Sequence, residues 1–320
     1  MDVYEQQPHG ITVVDTGFVR PRFDAAYLVV QDGRAAFVDT GPNSAVPRLL
    51  GALERQGLQP ECVDWLIVTH VHLDHAGGAG LLLRHLPHAR LVVHPRGARH
   101  LVDPTALMEG VRAVYGAQVA ARDYGELVPV PVDRVVTTTD GMVLELAGRP
   151  LLFADTPGHA RHHHCIWDEA SRGWFTGDTF GIAYPDLVTR EGRYAFPTTT
   201  PVQFEPEALR ASIDRLLERD PQVMYLTHYG ATREVAAHAA MLRSQLEAMV
   251  RLGREHAQAA DRGERLRAGL RALYLDEFAR RGGRRPDGET VALLEGDIEL
   301  NAQGLEVWLS KAGASGAAAA

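Results

Sequence analysis

Cysteine is nearly missing from this chain. Cys62 and Cys165 are the only two among 320 residues, which excludes a disulfide framework and leads us to expect a reducing, cytoplasmic setting. No apolar run approaches the length of a bilayer span, so no membrane partner is expected. Residues 1–7 carry neither a basic start nor an apolar stretch, and a secretory signal is not expected either. Positive charge is also scarce, with 33 Lys and Arg against 41 Asp and Glu and a formal net charge of −8. A nucleic-acid partner is therefore not expected, because phosphate binding rests on accumulated Lys and Arg. What remains is a globular composition, 45% hydrophobic and 23% charged, with enough apolar material for a sizeable core. Histidine alone is abundant. There are fifteen, and seven of them fall between residues 70 and 75 or 159 and 164.

The first part of the chain alternates short β-type runs with helical patterns. Residues 11–14, 26–30 and 35–38 are apolar runs, and Gln31-Asp32-Gly33-Arg34 reads as a hairpin turn between the last two. A helix is expected over 44–56, stopped by Gly57, then a strand over 65–68, a helix over 78–86 and a strand over 90–93. Residues 130–179 are strand-rich. A helix over 206–218 and a strand over 223–226 follow. Past Gly230 β-type runs nearly vanish, and helices are expected over 234–251, 264–280 and 289–309. Ala268, Leu270, Leu273 and Phe278 give the middle one an apolar stripe. The expected organisation is a layered α/β domain over 1–230, a helical region over 231–312 and a flexible tail over 313–320.

The strongest chemical signal is Thr69-His70-Val71-His72-Leu73-Asp74-His75-Ala76-Gly77-Gly78. Four potential ligands within six residues, directly after a buried-type strand and closed by two glycines, can converge where the chain turns sharply. Imidazole and carboxylate are the donors expected for zinc, iron or manganese. Further segments follow in order: Val38-Asp39-Thr40-Gly41, Thr156-Pro157-Gly158-His159, Phe175-Thr176-Gly177-Asp178 and Leu226-Thr227-His228. Together these resemble the signature of the metallo-β-lactamase superfamily over residues 10–230.

The resemblance implies a four-layer αβ/βα sandwich with a C-terminal helical appendage. It implies two divalent metal ions, Zn²⁺ foremost, with Fe or Mn accepted by the same donors. One metal would take His70, His72 and His159, the second Asp74, His75 and His228, with Asp178 bridging them. Asp74 and Asp178 would be the catalytic carboxylates, Asp74 orienting a bridging hydroxide that attacks a carbonyl. Asp39 and His163 would support the ligands from behind. His162 and His164 read as surface or strand residues, His94 as structural, and His9, His85, His88, His100, His238 and His256 as solvated. Cys165 reads as a buried small residue.

The long segment 180–200 carries Phe180, Tyr184, Tyr194 and Phe196. Long loops inside a compact domain are usually functional. These aromatics either cover the core or wall a substrate pocket, with Tyr184 or Tyr194 donating to substrate. Within the superfamily the resemblance points to a glyoxalase II-like hydrolase of a thioester, ester or lactone. The alternatives are a persulfide dioxygenase with one iron at His70, His159 and Asp178, or a regulatory protein with little turnover. The C-terminal helices would bind substrate, form a lid or join a homodimer.

Overall fold

The computed structural model describes residues 2–201 and 203–318. Its chain falls into two compact units. One comprises Met1–Asp155, His162–Gly177 and Asp220–Arg233, the other Thr156–Arg161, Asp178–Arg219 and Glu234–Ala320. Thr156–Arg161 and Asp178–Arg219 thus group with the C-terminal helices, whereas the sequence places them with the residues before Gly230.

The first unit holds two sheets. One is ordered β1 (Tyr4–Gln7), β2 (Ile11–Asp15), β3 (Ala25–Gln31), β4 (Arg34–Val38), β5 (Val63–Ile67), β6 (Arg90–Val93), β7 (Val135–Thr137). Its first four strands pair antiparallel, and β4 to β7 pair parallel. The helices α1 (Val46–Arg55), α2 (Leu73–Ala76), α3 (Ala79–His85) and α4 (Pro95–Val102) occupy the β4–β5, β5–β6 and β6–β7 crossovers, followed by α5 (Thr105–Tyr115) and α6 (Ala117–Asp123). The second sheet is built from β8 (Val143–Leu146), β9 (Arg149–Asp155), β10 (His164–Asp168) and β11 (Gly173–Gly177). Beside β11 lie β14 (Val223–Leu226) and β15 (Gly230–Thr232).

Strand periodicity sorts the core. Val13, Tyr27, Val29, Ala36, Val38 and Ile67 pack with Phe153, Ile166, Phe175 and Tyr225 of the second sheet. Their neighbours Val14, Ala26, Leu28, Phe37 and Leu66 pack instead with Leu49 and Leu53 of α1 and Leu82 and Leu83 of α3. Successive side chains of a strand point to opposite faces. Both faces of the sheet are therefore buried along β2, β3 and β4, which is why these strands read as apolar runs. An ion pair is buried in this unit as well. Arg149 Nε and Nη2 donate to Asp168 at 2.7 and 2.5 Å, and Nη1 donates to the His9 carbonyl at 2.6 Å.

The second unit contains a small ribbon, β12 (Val188–Thr189) with β13 (Gly192–Arg193). Its helices are α7 (Pro206–Leu217), α8 (Val235–Glu255), α9 (Arg262–Arg280) and α10 (Asp287–Ala318). The buried stripe of α9 is Leu266, Leu270, Tyr274 and Phe278, spaced by four, with Leu273 half-buried and Ala268 exposed. The segment expected as a flexible tail instead continues α10 to Ala318, and Ala319 and Ala320 lie outside the described residues. Alanine is the strongest helix former, which offsets the glycines there.

His238, expected in solvent, is buried in α8 and its Nε2 donates to the Phe180 carbonyl at 3.0 Å. Burial pushes its pKa down to about 3. A histidine held neutral in the fold but free to protonate once unfolded stabilises above pH ~6.5, and that contribution is lost as pH falls toward 3. We expect His238→Gln, which keeps a donor, to remove about 2 kcal/mol of this loss at pH ~5, read from the pH dependence of Tm. Equal acid slopes in both proteins would refute it.

Candidate metal centre

The metal loop begins where β5 ends, and its shape is fixed from the end of β4. Asp39 has φ +57°, a left-handed conformation that Asp adopts more readily than most residues. Its carboxylate is 1% exposed. Oδ1 accepts from the Thr69 backbone N–H at 2.7 Å, and Oδ2 accepts from the Thr69 and Thr227 hydroxyls and from His75 Nδ1, each at 2.9 Å. Next to it, the His75 carbonyl accepts from the Thr40 amide and hydroxyl at 2.7 and 2.9 Å, and the Gly41 carbonyl accepts from the Gly78 amide at 2.8 Å. Gly77 is required by close approach, because a Cβ there would stand 2.4 Å from the Leu73 carbonyl oxygen.

Three of the candidate ligand histidines share one arrangement. His75 Nδ1 faces Asp39, His228 Nδ1 faces the Phe23 carbonyl at 2.9 Å, and His159 Nδ1 faces the Thr198 carbonyl at 3.3 Å. Each partner only accepts, so each Nδ1 carries the proton and each Nε2 keeps its lone pair. Those Nε2 atoms point at carboxylate oxygens. His75 and His228 lie 3.7 and 3.4 Å from Asp74 Oδ2, and His159 lies 3.3 Å from Asp178 Oδ2.

A lone pair facing a carboxylate repels it unless a cation or proton intervenes. Ligand atoms about 2.1 Å from a tetrahedral ion stand ~3.4 Å apart, so this spacing suits a metal. Within the first unit the donors of Asp74, His75 and His228 all lie within 4.8 Å of one another. His70 Nε2 and His72 Nδ1 stand 2.8 Å apart, a second pair of ring nitrogens converging on one point.

His163 is fully buried and stacks on His70 with ring centroids 4.8 Å apart. His162 and His164, expected as surface or strand residues, are both buried, and His164 is the strand residue of the two. His164 opens β10, with Nε2 donating to the Val68 carbonyl at 2.9 Å and Nδ1 facing the Thr138 hydroxyl at 2.8 Å, and burial holds its pKa down to about 3. His94 bridges to Asp155 at 3.2 Å. Cys165 is buried, its Sγ directed at the Thr176 carbonyl.

Phe180, Tyr184, Tyr194 and Phe196 are 0% exposed in the second unit. The Tyr184 hydroxyl donates to Asp297 at 3.2 Å and that of Tyr194 to Gln245 at 2.6 Å. The expectation that they donate to a substrate is revised, since C-terminal helix residues take both hydroxyls and the rings pack as core.

Asp24 is a site residue that the sequence does not reveal. Its carboxyl is fully buried and accepts from the Thr16 hydroxyl at 2.8 Å, and burial raises its pKa to about 7 against the opposing pull of His228 and His75. A lone Asp before a strand carries no pattern that marks such a place.

Asp39→Ala removes an acceptor that four donors share. We expect metal affinity to fall by about 10- to 100-fold, the usual effect of losing a group that orients ligands, measured by competition with a chromogenic chelator. Unchanged affinity would show that the loop holds its shape without this carboxylate.

Comparison with known proteins agrees with this geometry. The family model described as "Metallo-beta-lactamase superfamily" matches residues 19–228. The metallo-beta-lactamase fold-containing protein ST1585 of Sulfurisphaera tokodaii is 25% identical over 214 residues, 66% of this chain and 74% of that one. A hydroxyacylglutathione hydrolase of Citrobacter koseri is 32% identical over 162 residues, and the chain spans about half of that relative's length, 49%. Among solved structures, the metallo-beta-lactamase family protein TTHA1429 of Thermus thermophilus superposes with TM-score 0.67 at 20% identity, covering 95% of this chain and 94% of that one. With its ligand-type residues in family order and the family match spanning most of the chain, the protein belongs to the metallo-beta-lactamase superfamily.

Proposed function

We propose that the protein is a dinuclear metal-dependent hydrolase of a thioester, ester or lactone. The observation that carries this reading is the set of three imidazoles, each with its proton turned to a fixed acceptor and its lone pair turned to Asp74 or Asp178. Side chains so oriented are ready to bind cations without rearranging. His70, His72 and His159 would hold one metal, Asp74, His75 and His228 the other, and Asp178 would touch both. When bound, such a pair lowers the pKa of a shared water toward neutrality and polarises the carbonyl under attack.

The protein's own residues do the rest. Asp74 would orient the attacking water through its carboxylate. Asp39 keeps His75 in the required tautomer. The matches to hydroxyacylglutathione hydrolases, 32% identical in one case over half of each chain, support acyl transfer to water as the reaction class. Elemental analysis of the purified protein, paired with a panel of thioesters, esters and lactones, tests the reading. Two metals per chain with turnover of at least one acyl class is expected. One iron per chain with oxygen uptake on a persulfide, or a fully metallated protein inert to the whole panel, overturns it.

A further inference from the structure

Within the first unit, the ring of Phe23 stands edge-on to His228 with centroids 5.3 Å apart. Phe18 follows, edge-on to Phe23 at 5.9 Å, and Tyr124 leans on Phe18 at 5.5 Å. Tyr124 directly follows α6. There Met108, Ala120, Tyr124 and Leu127 cluster with Leu73, the residue before Asp74, and Phe18 packs against that cluster while remaining half-buried. Met108 and Leu127 also line a cleft of about 590 Å³. A continuous apolar strip therefore starts at the ring of a metal-ligand histidine and reaches an open cleft.

The strip is not explained as core alone. Val19 and Arg22, on the loop that carries Phe18, both have φ +57°, and the Val19 side chain is 69% exposed. A β-branched residue in the left-handed region is strained, and strain of this kind gathers where a surface has to hold one shape. The Arg20 guanidinium lies 5.3 Å over the ring of Phe23 and covers one of its faces. Phe18, half-buried, is the aromatic that joins Phe23 to the cluster beside the cleft.

We propose that this strip binds an apolar acyl group of the substrate, so that the protein selects medium-chain acyl esters, thioesters or alkyl-substituted lactones over acetyl and lactoyl ones. The proposal rests on the hydrolase reading for its chemistry, and its own content is the acyl class. A straight alkyl chain leaving the carbonyl near His228 passes Phe23 and Phe18 and sheds its hydration against them. A hydroxylated acyl group would instead lose water partners and gain none.

The test is kcat/KM across 4-nitrophenyl acetate, butyrate, hexanoate and octanoate and the matching acyl thioesters, for the metallated full-length protein and for Phe18→Ala. Each added methylene is expected to raise kcat/KM by about fourfold in the natural protein. In Phe18→Ala the octanoyl-to-acetyl ratio should fall by about tenfold or more. Leu107→Ser, on the same cluster, should lower that ratio in the same direction. A flat series in a protein that hydrolyses acetyl esters overturns the acyl selection and leaves the hydrolase reading standing. So does a steep series that Phe18→Ala leaves equally steep. Should no ester or thioester be turned over, the hydrolase reading falls, and calorimetry with octanoate against acetate then decides the strip. Octanoate binding that Phe18→Ala weakens supports it, and equal or no binding of the two overturns it.

Discussion

Asp178→Asn is expected to lose metal and hydrolysis together, with kcat/KM falling by ~10²-fold or more and the metal content of the purified protein dropping in parallel. The substitution is nearly isosteric, so the fold should persist. What changes is charge. Asp178 is 5% exposed and its Oδ2 lies 3.3 Å from the lone pair of His159 Nε2. An amide oxygen is neutral and a poorer donor to a cation, and the amide nitrogen cannot coordinate at all. Losing a residue that merely orients a ligand costs about 10- to 100-fold, so losing a ligand proposed to serve both metals should exceed that range. Metal per chain by elemental analysis and kcat/KM on an acyl substrate are the measurements. Retention of both would remove Asp178 from the centre, and with it the dinuclear reading. His72→Ala should act in the same direction.

Asp168→Ala is expected to cost about 3–5 kcal/mol of folding stability. Arg149 and Asp168 side chains are 2% and 0% exposed, and the guanidinium has no route to water that would let it trade one partner for another. Removing the carboxylate also strips the acceptor used by the Ser171 backbone N–H at 3.1 Å. The penalty comes less from the lost attraction than from a cation left buried without a counter-charge. A double replacement, Arg149→Met with Asp168→Leu, should therefore recover most of the loss. Chemical denaturation of the natural protein and both variants measures this. A single variant as stable as the natural protein would show that water reaches the guanidinium after all.

The parts of the fold that could be read from sequence are those whose burial is expressed by periodicity or by punctuation. β2, β3 and β4 are largely apolar runs because both faces of their sheet are covered. Gly57, at φ +68°, marks a helix end in the way its backbone freedom dictates. α4, α5 and α6 left no comparable trace. In α5, only Met108 is buried among the residues 105–114, and Gly110 sits mid-helix, so no stripe emerges. β10 was hidden by its opening histidine, since His164 is polar by type yet packed by neutral hydrogen bonds.

At the site, the ligand motif was legible because close spacing along the chain gives four donors one turn to share. Asp24 was not legible, because its place depends on the packing of Thr16 and His228, which its own sequence neighbours do not announce. The aromatics of 180–200 misled for the opposite reason. A run of ring residues in a long loop looks the same whether it faces a substrate or faces α8 and α10, and only the partners Gln245 and Asp297 decide between them.

Tyr27 and Leu28 are neighbours in β3, yet one belongs to the interior between the sheets and the other to the interior beneath the helices. Exchanging either residue for another of similar volume disturbs a single interior. Adding or deleting one residue swaps the assignments of all the residues beyond it, sending rings toward α1 and methyl groups toward Phe175. For this strand, length is therefore a stricter inheritance than identity, and room for insertions lies in the exposed Asp32–Gly33 turn after it, where the chain has no interior to satisfy.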